Sequence, residues 1–225
     1  MNIPNKHYRA SCKVTLLILF GLCLSACDAL TNSKNHPNTI VYCSEGSPAN
    51  FNPHLYTSGT NGDASSHQIY DRLIDFDPES GNIVPALATS WSITDDGKTY
   101  TFQLRKNVSF HQTDIFLPSR FFNADDVVFS LDRWRLQTHP YHSVSGGKYP
   151  YTDSLKLGDL IKDVRRVNGY RIEITLNRPE SSFLANLATD FAVILSAEYA
   201  EQLMASEQMH IIDYQPVGTG PYQLF

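Results

Sequence analysis

Basic residues are scarce in this chain. Its 225 residues hold 18 lysines and arginines against 23 aspartates and glutamates, a formal net charge of −5. Nucleic-acid binding needs clustered positive charge that displaces counterions from phosphates; no such cluster occurs, so nucleic acid is excluded as a partner. Cysteine is limited to Cys12, Cys23, Cys27 and Cys43, too few and too crowded at one end for a disulfide-built scaffold. Long apolar runs are missing as well: the longest, Val14 to Leu24, has about 11 residues where a spanning helix needs ~20. Catalytic signatures are also lacking. No G-x-S-x-G elbow occurs, and Ser143-Val144-Ser145-Gly146 lacks the strand-turn-helix setting a nucleophile requires. "DDGKT", residues 95–99, ends like a phosphate-binding loop, but Ser92 stands where the pattern needs glycine, and Asp95 and Asp96 would repel phosphate. The chain reads as a non-enzyme with neither cofactor nor metal site.

What is present at the start is an export signal. Lys6, Arg9 and Lys13 form a basic region without acids, the Val14–Leu24 run follows, and the small pair Ser25-Ala26 closes it. Leu24-Ser25-Ala26-Cys27 look like the lipobox of bacterial lipoproteins, in which Cys27 is acylated and becomes the mature N-terminus. Its acyl chains would anchor the protein to a membrane, each buried methylene adding ~0.8 kcal/mol. The alternative is an ordinary secretory signal cut after Ala26. In a Gram-negative host, Asp28 beside the lipidated cysteine resembles an inner-membrane retention signal, which places the protein on the periplasmic side of that membrane. Residues 1–26 are thus read as the signal and 27–38 as a flexible tether. With Cys12 and Cys23 in the signal and Cys27 acylated, Cys43 is left as an odd thiol in an oxidising compartment. It is either buried in a strand or paired with a cysteine outside this chain.

Strands and helices intermix along the remainder. "NTIVYCSEG", 38–46, alternates as a first strand. Residues 47–63 are rich in turn formers and read as a long loop anchored by Phe51 and Tyr56. A helix is expected over 64–73, with Asp63 as its cap and Ile69, Tyr70 and Leu73 on its face. Around Asp96-Gly97 a hairpin is expected, with Trp91 and Ile93 on one strand and Tyr100, Phe102 and Leu104 on the other all turned inward. "NADDVVFSLDRWR" predicts a helix capped by Asn123, with Asp125 and Asp126 in its first turn and Val127, Leu131 and Trp134 along one face. A short helical piece within "DSLKLGDLIKDVRRV" precedes a strand carrying Ile172, Ile174 and Leu176, stopped by Pro179. A helix, an extended break near Val193–Ser196 and a second helix complete the pattern, and a strand is expected from Tyr222. Phe225 closes the chain with neither cap nor polar tail, which reads as an incomplete reading frame.

The segments "VYCSEGSPANFNPHLYTSGTNGDASS", "IYDRLIDFD", "PALATSWSITDDGKTYTFQLRKNVSFH", "FNADDVVFSLDR", "HPYHSVSGGKYPY" and "PVGTGPYQL" occur in order over nearly all of 39–225. They resemble the peptide-type, family 5 solute-binding proteins of ABC importers, and within that family its dipeptide-binding, heme-binding and antimicrobial-peptide-uptake members. The resemblance implies an α/β architecture, the type II periplasmic-binding-protein fold, cut to most of the first lobe plus an extra subdomain. Residues 39–74 would begin the lobe, 75–182 form the subdomain, and 183–225 return to the lobe, incomplete. It implies capture of dipeptides or short peptides for import by ABC permease subunits, or of heme by a receptor of the same family; a non-functional remnant is the other alternative. For heme, His54, His67, His111, His139, His142 and His210 are available as axial ligands, none of them in a motif. The residues nominated for ligand contact are Thr57, Ser58, Gly59, Thr60 and Asp63, with a self-capped structural loop as the competing reading. Gly218-Thr219-Gly220-Pro221 reads as a structural turn. By resemblance, Cys43 matches a cysteine whose disulfide partner lies farther along the family's chains.

Overall fold

A computed structural model of the protein describes residues 41, 43 and 46–224. The signal, Cys27, the tether and most of the expected first strand lie outside them. Val41 is exposed, and Cys43 is an exposed free thiol.

Two antiparallel sheets carry the fold. The smaller pairs β1 (Ile74–Phe76) with β2 (Ile83–Pro85). The larger contains β3 (Ala88–Ile93) and β4 (Thr99–Leu104), joined by a turn in which Gly97 takes φ +69° and the Asp96 carboxylate accepts from the Lys98 N–H and the Thr94 hydroxyl. This is the turn that Asp-Gly announces. The sheet follows after the helix α1 (Ala124–Arg135) with β5 (Ile161–Asn168) and β6 (Arg171–Leu176), in the order β3-β4-β6-β5. Period-2 alternation puts Tyr100, Phe102 and Leu104 of β4 and Ile172, Ile174 and Leu176 of β6 on one buried face. In register, Phe102 faces Ile172 and Tyr100 faces Ile174.

Helix α1 lies against this sheet, burying Val127, Leu131 and Trp134. Its start is a reciprocal cap: Asn123 accepts from the Asp125 N–H at 2.7 Å, and Asp126 accepts from the Asn123 N–H at 2.9 Å. Asp126 does more than complement the helix dipole. Fully buried, it takes a two-pronged bond from Arg120 (2.7 and 2.8 Å) and the Ala197 N–H at 2.8 Å. That last bond ties the start of α1 to the start of a later helix. After α2 (Phe183–Leu187) the chain extends through Val193–Leu195 and enters that helix, α3 (Ala197–Ala205), capped by Ser196.

Residues 68–72 run from a turn at 67–69 into an irregular stretch that bridges at Arg72, and they are held from both sides. On one side the Ile194 N–H donates to the Asp71 carbonyl at 2.9 Å, and Arg72 bridges Val193. On the other, Gly220 N–H donates to Ile69 and Tyr222 N–H to Gln68, both at 2.9 Å. Gly218 and Gly220 come so close that a Cβ on either would strike the backbone of Ile69. The glycines of "GTG" thus serve backbone approach, in line with the structural reading.

The fold corrects several expectations. No helix spans 64–73. Helical turns occupy Gly59–Asn61 and Gly62–Ser66 instead, capped by Ser58 and not by Asp63. Ile69, Tyr70 and Leu73 are buried as expected, but because the turn at 67–69 and the irregular stretch after it are packed between two partners, which helical spacing cannot foretell. Within the expected loop, Pro53–Leu55 form a 3₁₀ turn capped by Asn52. Ile93 is 44% exposed because it lies at the end of the edge strand β3; Trp91 is half-buried, 6.4 Å from Phe102. After helical turns at Pro150–Ser154 and Leu157–Leu160, residues from Ile161 form strand β5, paired with β6. The residues from Tyr222 make single backbone bonds without becoming a regular strand.

Gly218→Ala is expected to destabilise the protein by about 1–3 kcal/mol through overpacking against Ile69. Gly169→Ala, where a Cβ meets nothing within 4 Å, is the control expected to cost far less. Urea unfolding of the two variants checks the difference.

Candidate functional site

The nominated residues form one surface turn. Pro53 fixes the first position of the 3₁₀ turn, and the Asn52 side chain caps it by accepting from the His54 N–H at 3.0 Å. Six residues on, the Ser58 hydroxyl accepts from the Asn61 N–H, so this nominated hydroxyl is committed to its own helix. Thr57, Ser58, Gly59 and Asp63 are exposed and Thr60 half-buried, with open space beside Gly59. The turn is fastened from below by Asn61, whose side chain donates to the Asn50 carbonyl and accepts from the Ala49 N–H.

A second fastening comes from a charged cluster. Arg72 is buried, bonded to the Ser66 hydroxyl at 2.9 Å and paired with Asp75, with Asp190 3.6 Å away. His67 Nε2 meets the Asp190 carboxylate at 2.9 Å, and Ser66 donates to the Asp190 carbonyl. The helical turns at 59–66 are thereby locked to the segment after α2.

Beside Tyr56 lies a cavity of about 350 Å³, with Asn50, Ser145, Lys148, His210 and Tyr214 also on its walls. Three separate stretches of chain, 50–56, 144–148 and 210–214, meet here because of the group beneath them. Asp213 is fully buried and accepts from Arg133 at 2.9 and 3.1 Å, from the Asn52 amide and from the Ser145 hydroxyl. The Asp213 carbonyl takes the Phe51 N–H at 2.9 Å. His142 bonds the Arg133 carbonyl at 2.9 Å and stands 5.3 Å from the Tyr149 ring, whose hydroxyl returns to the His142 carbonyl. Burial pushes the Tyr70 phenol up, and raises Tyr141 to about 12, so both stay neutral. The same burial, aided by Arg133, holds His54 down at about 4; its Nε2 bonds the Val193 carbonyl at 3.0 Å.

A larger cleft of about 700 Å³ lies between the 112–115 loop and residues 215–216, and Gln223 and Leu224 also line it. Among the described residues no group of three or more His, Cys, Asp and Glu side chains is placed to hold a metal ion. No helix among them is long and apolar enough to cross a membrane.

Sequence reasoning found the surface turn but missed the cavity beside it. Asp213 sits in "HIID" and Arg133 on the packed side of a strongly amphipathic helix; a charge of each sign inside apolar surroundings was the available signal. Lys148 and Tyr214 carried none.

His54 generates a pH dependence of stability. Between pH 6.5 and about 4 the unfolded chain binds a proton that the folded chain does not, so stability falls as pH is lowered through that window. Half-buried His139, also held at about 4 by burial, acts in the same direction. The stability lost between pH 7 and 4.5 is expected to be smaller in His54→Gln by about 2–3 kcal/mol, read from urea midpoints.

The chain has relatives. Residues 82–225 match the family described as bacterial extracellular solute-binding proteins, family 5 middle. The dipeptide-binding protein of Escherichia coli (strain K12) is 47% identical over 216 residues, covering 96% of this chain and 40% of that protein. Heme-binding protein A of Haemophilus influenzae is 48% identical over 221 residues, covering 93% and 40%. The chain thus spans about two fifths of the length of these curated relatives. The crystal structure of a dipeptide binding protein from Pseudoalteromonas sp. SM9913 in complex with Met-Leu superposes with a TM-score of 0.80 at 48% identity, over 82% of this chain and 36% of that one. DppA from Helicobacter pylori in complex with the peptide STSA gives 0.76 at 40% identity, over 80% and 35%. The mixed helix-and-sheet architecture is that of periplasmic binding proteins, as the resemblance implied, and the chain belongs to the family 5 bacterial extracellular solute-binding proteins.

Proposed function

We propose that this chain is the ligand-capturing part of an extracytoplasmic receptor for dipeptides or short peptides, serving an ABC importer and tethered to the inner membrane through lipid on Cys27. The observation that carries the peptide reading is the likeness in both sequence and shape to a protein that holds Met-Leu. The surface turn Thr57–Asp63 offers hydroxyls, an acid and close backbone approach at Gly59, chemistry that suits main-chain recognition of a peptide. Residues 39–74 and 183–225 act as one lobe, and 75–182 as an inserted subdomain. This division is supported by the way 68–72 packs between 193–194 and 218–222, while the four-stranded sheet lies wholly within 88–176. Cys43, exposed and unbridged among the described residues, is available to a cysteine on further polypeptide.

Heme is the second reading, favoured by the 48% identity to heme-binding protein A. Of the six histidines available to it, five are bonded to protein groups. His210 lines the cavity and is free of such bonds among the described residues.

Titrating Met-Leu into ¹⁵N-labelled protein is expected to shift the amide resonances of Tyr56 to Asp63 saturably. Resonances that stay in place at millimolar peptide would remove the peptide reading. For the anchor, cells fed a fatty-acid analogue are expected to label the wild-type protein in a globomycin-sensitive manner and to leave Cys27→Ala unlabelled. An unlabelled wild type would end the lipoprotein reading.

A further inference from the structure

A histidine joins the two walls of the larger cleft. His111 directly precedes the 112–115 wall, and it makes three bonds to the 218–220 bend, which in sequence separates residues 215–216 from 223–224 on the other wall. Its backbone N–H donates to the Gly218 carbonyl at 2.9 Å. Its ring faces the Gly218 N–H with Nδ1 at 3.4 Å and the Gly220 carbonyl with Nε2 at 2.8 Å. We propose that His111 is a pH-sensitive pin: neutral, it holds the 218–220 bend against the 112–115 wall, and protonated on Nδ1 it releases the bend and loosens the cleft. This concerns the cleft itself and does not depend on which ligand the protein captures.

The partners fix the tautomer. An amide N–H can only donate and a carbonyl can only accept, so the proton of the neutral ring sits on Nε2 and Nδ1 offers its lone pair. A second proton goes on Nδ1, where it confronts the Gly218 N–H, donor against donor. The half-buried ring must then also carry a charge away from water, and this burial already holds His111 below the ordinary 6.5. Asp71, on the 68–72 segment, is the charged group that favours protonation; it accepts from the Thr219 hydroxyl at 2.8 Å, and burial outweighs its pull. Asp114, on the ring's own loop, is exposed.

The other fastenings of the walls do not respond to mild acid. Phe110 and Phe116 are buried on either side of the 112–115 loop, with the Phe116 ring 5.0 Å from that of Tyr199. The Gln202 side chain donates to the Ile115 carbonyl at 2.7 Å, and the Tyr199 hydroxyl donates to the Gln215 carbonyl at 3.1 Å. On the far side of the bend, the Gly220 N–H donates to the Ile69 carbonyl at 2.9 Å. None of these contacts involves a group that titrates near neutral pH. His111 is therefore the point at which a single proton changes how one wall is joined to the other.

Long-range ¹H–¹⁵N spectra of the ¹⁵N-labelled chain are expected to show His111 as the Nε2–H tautomer at pH 8. As the pH is lowered towards 4.5, the amide resonances of Gly218 and of residues 112–115 are expected to shift with the midpoint of the His111 ring, below 6.5. Through the same transition the Gly218 amide is expected to exchange about tenfold faster than its intrinsic chemistry predicts, the loss of one hydrogen bond. His111→Gln puts a donor that does not titrate near the place of Nε2, and is expected to keep the bend in position at pH 8 while abolishing the response. His54→Gln is expected to leave the response intact, which separates the pin from the buried histidine. An Nδ1–H tautomer, a ring that stays neutral down to pH 4.5, or wall amides that ignore the ring's titration would each overturn the pin. So would an unchanged response in His111→Gln. The tautomer and the titration are read in the wild type, so the outcome does not hang on whether a variant folds.

Discussion

The buried carboxylate of Asp213 joins three parts of the chain that lie far apart in sequence. Removing a charged pair from water costs several kcal/mol per ion, and the loss is recovered only when geometry and extra hydrogen bonds are complete. Here the carboxylate side is complete, with Arg133 Nη2 approaching both oxygens and Asn52 and Ser145 adding neutral donors from two different loops, while the buried Arg133 Nε and Nη1 make no hydrogen bond among the described residues. Each donor belongs to a stretch that lines the cavity or supports it. Arg133 in turn is placed by α1, and α1 by its cap and by the packing of Val127, Leu131 and Trp134 on the sheet. The site is thus an outcome of helix placement, transmitted through one ion pair.

Asp126 plays the matching part at the other end of α1. It fixes Arg120, its own helix start and the first N–H of α3 together. Two aspartates, each accepting at least one bond from distant sequence, hold α1 at both ends against the returning segments, while Arg72 does the same for the surface turn through Ser66, Asp75 and Asp190. Polar groups inside this fold are few, but they decide which loops lie beside which. The apolar sheet face supplies bulk cohesion and says little about loop placement.

Much of this was legible where the signal is local. The Asp96-Gly97 hairpin, the Asn123 cap, the Ile172-Ile174-Leu176 face and the break at Val193–Ser196 all follow from short-range pattern, and all occur. Where partners come from far away, pattern misled. Ile69, Tyr70 and Leu73 have helical spacing but are buried by neighbours on two sides of a turn and the irregular stretch that follows it. The short helical piece expected within residues 153–167 occurs, but the strand from Ile161 that pairs with β6 went unread. The surface turn could be nominated from its hydroxyls and glycines, yet its cap at Ser58 moved one of those hydroxyls from recognition to structure.

The packing of residues 68–72 also bears on the order in which this polypeptide can acquire structure. Asp71 accepts from Thr219 across 148 residues of sequence, and Ile69 is closed over by Gly220. Contacts of such separation pay the full entropy of loop closure before returning any stability, so they form late. A chain that acquires structure from its N-terminus onward must carry Ile69, Tyr70 and Leu73 uncovered until residues near 193 and then 218–222 are in place. During that interval the segment presents apolar side chains and backbone groups without their final partners, the state most prone to wrong ones.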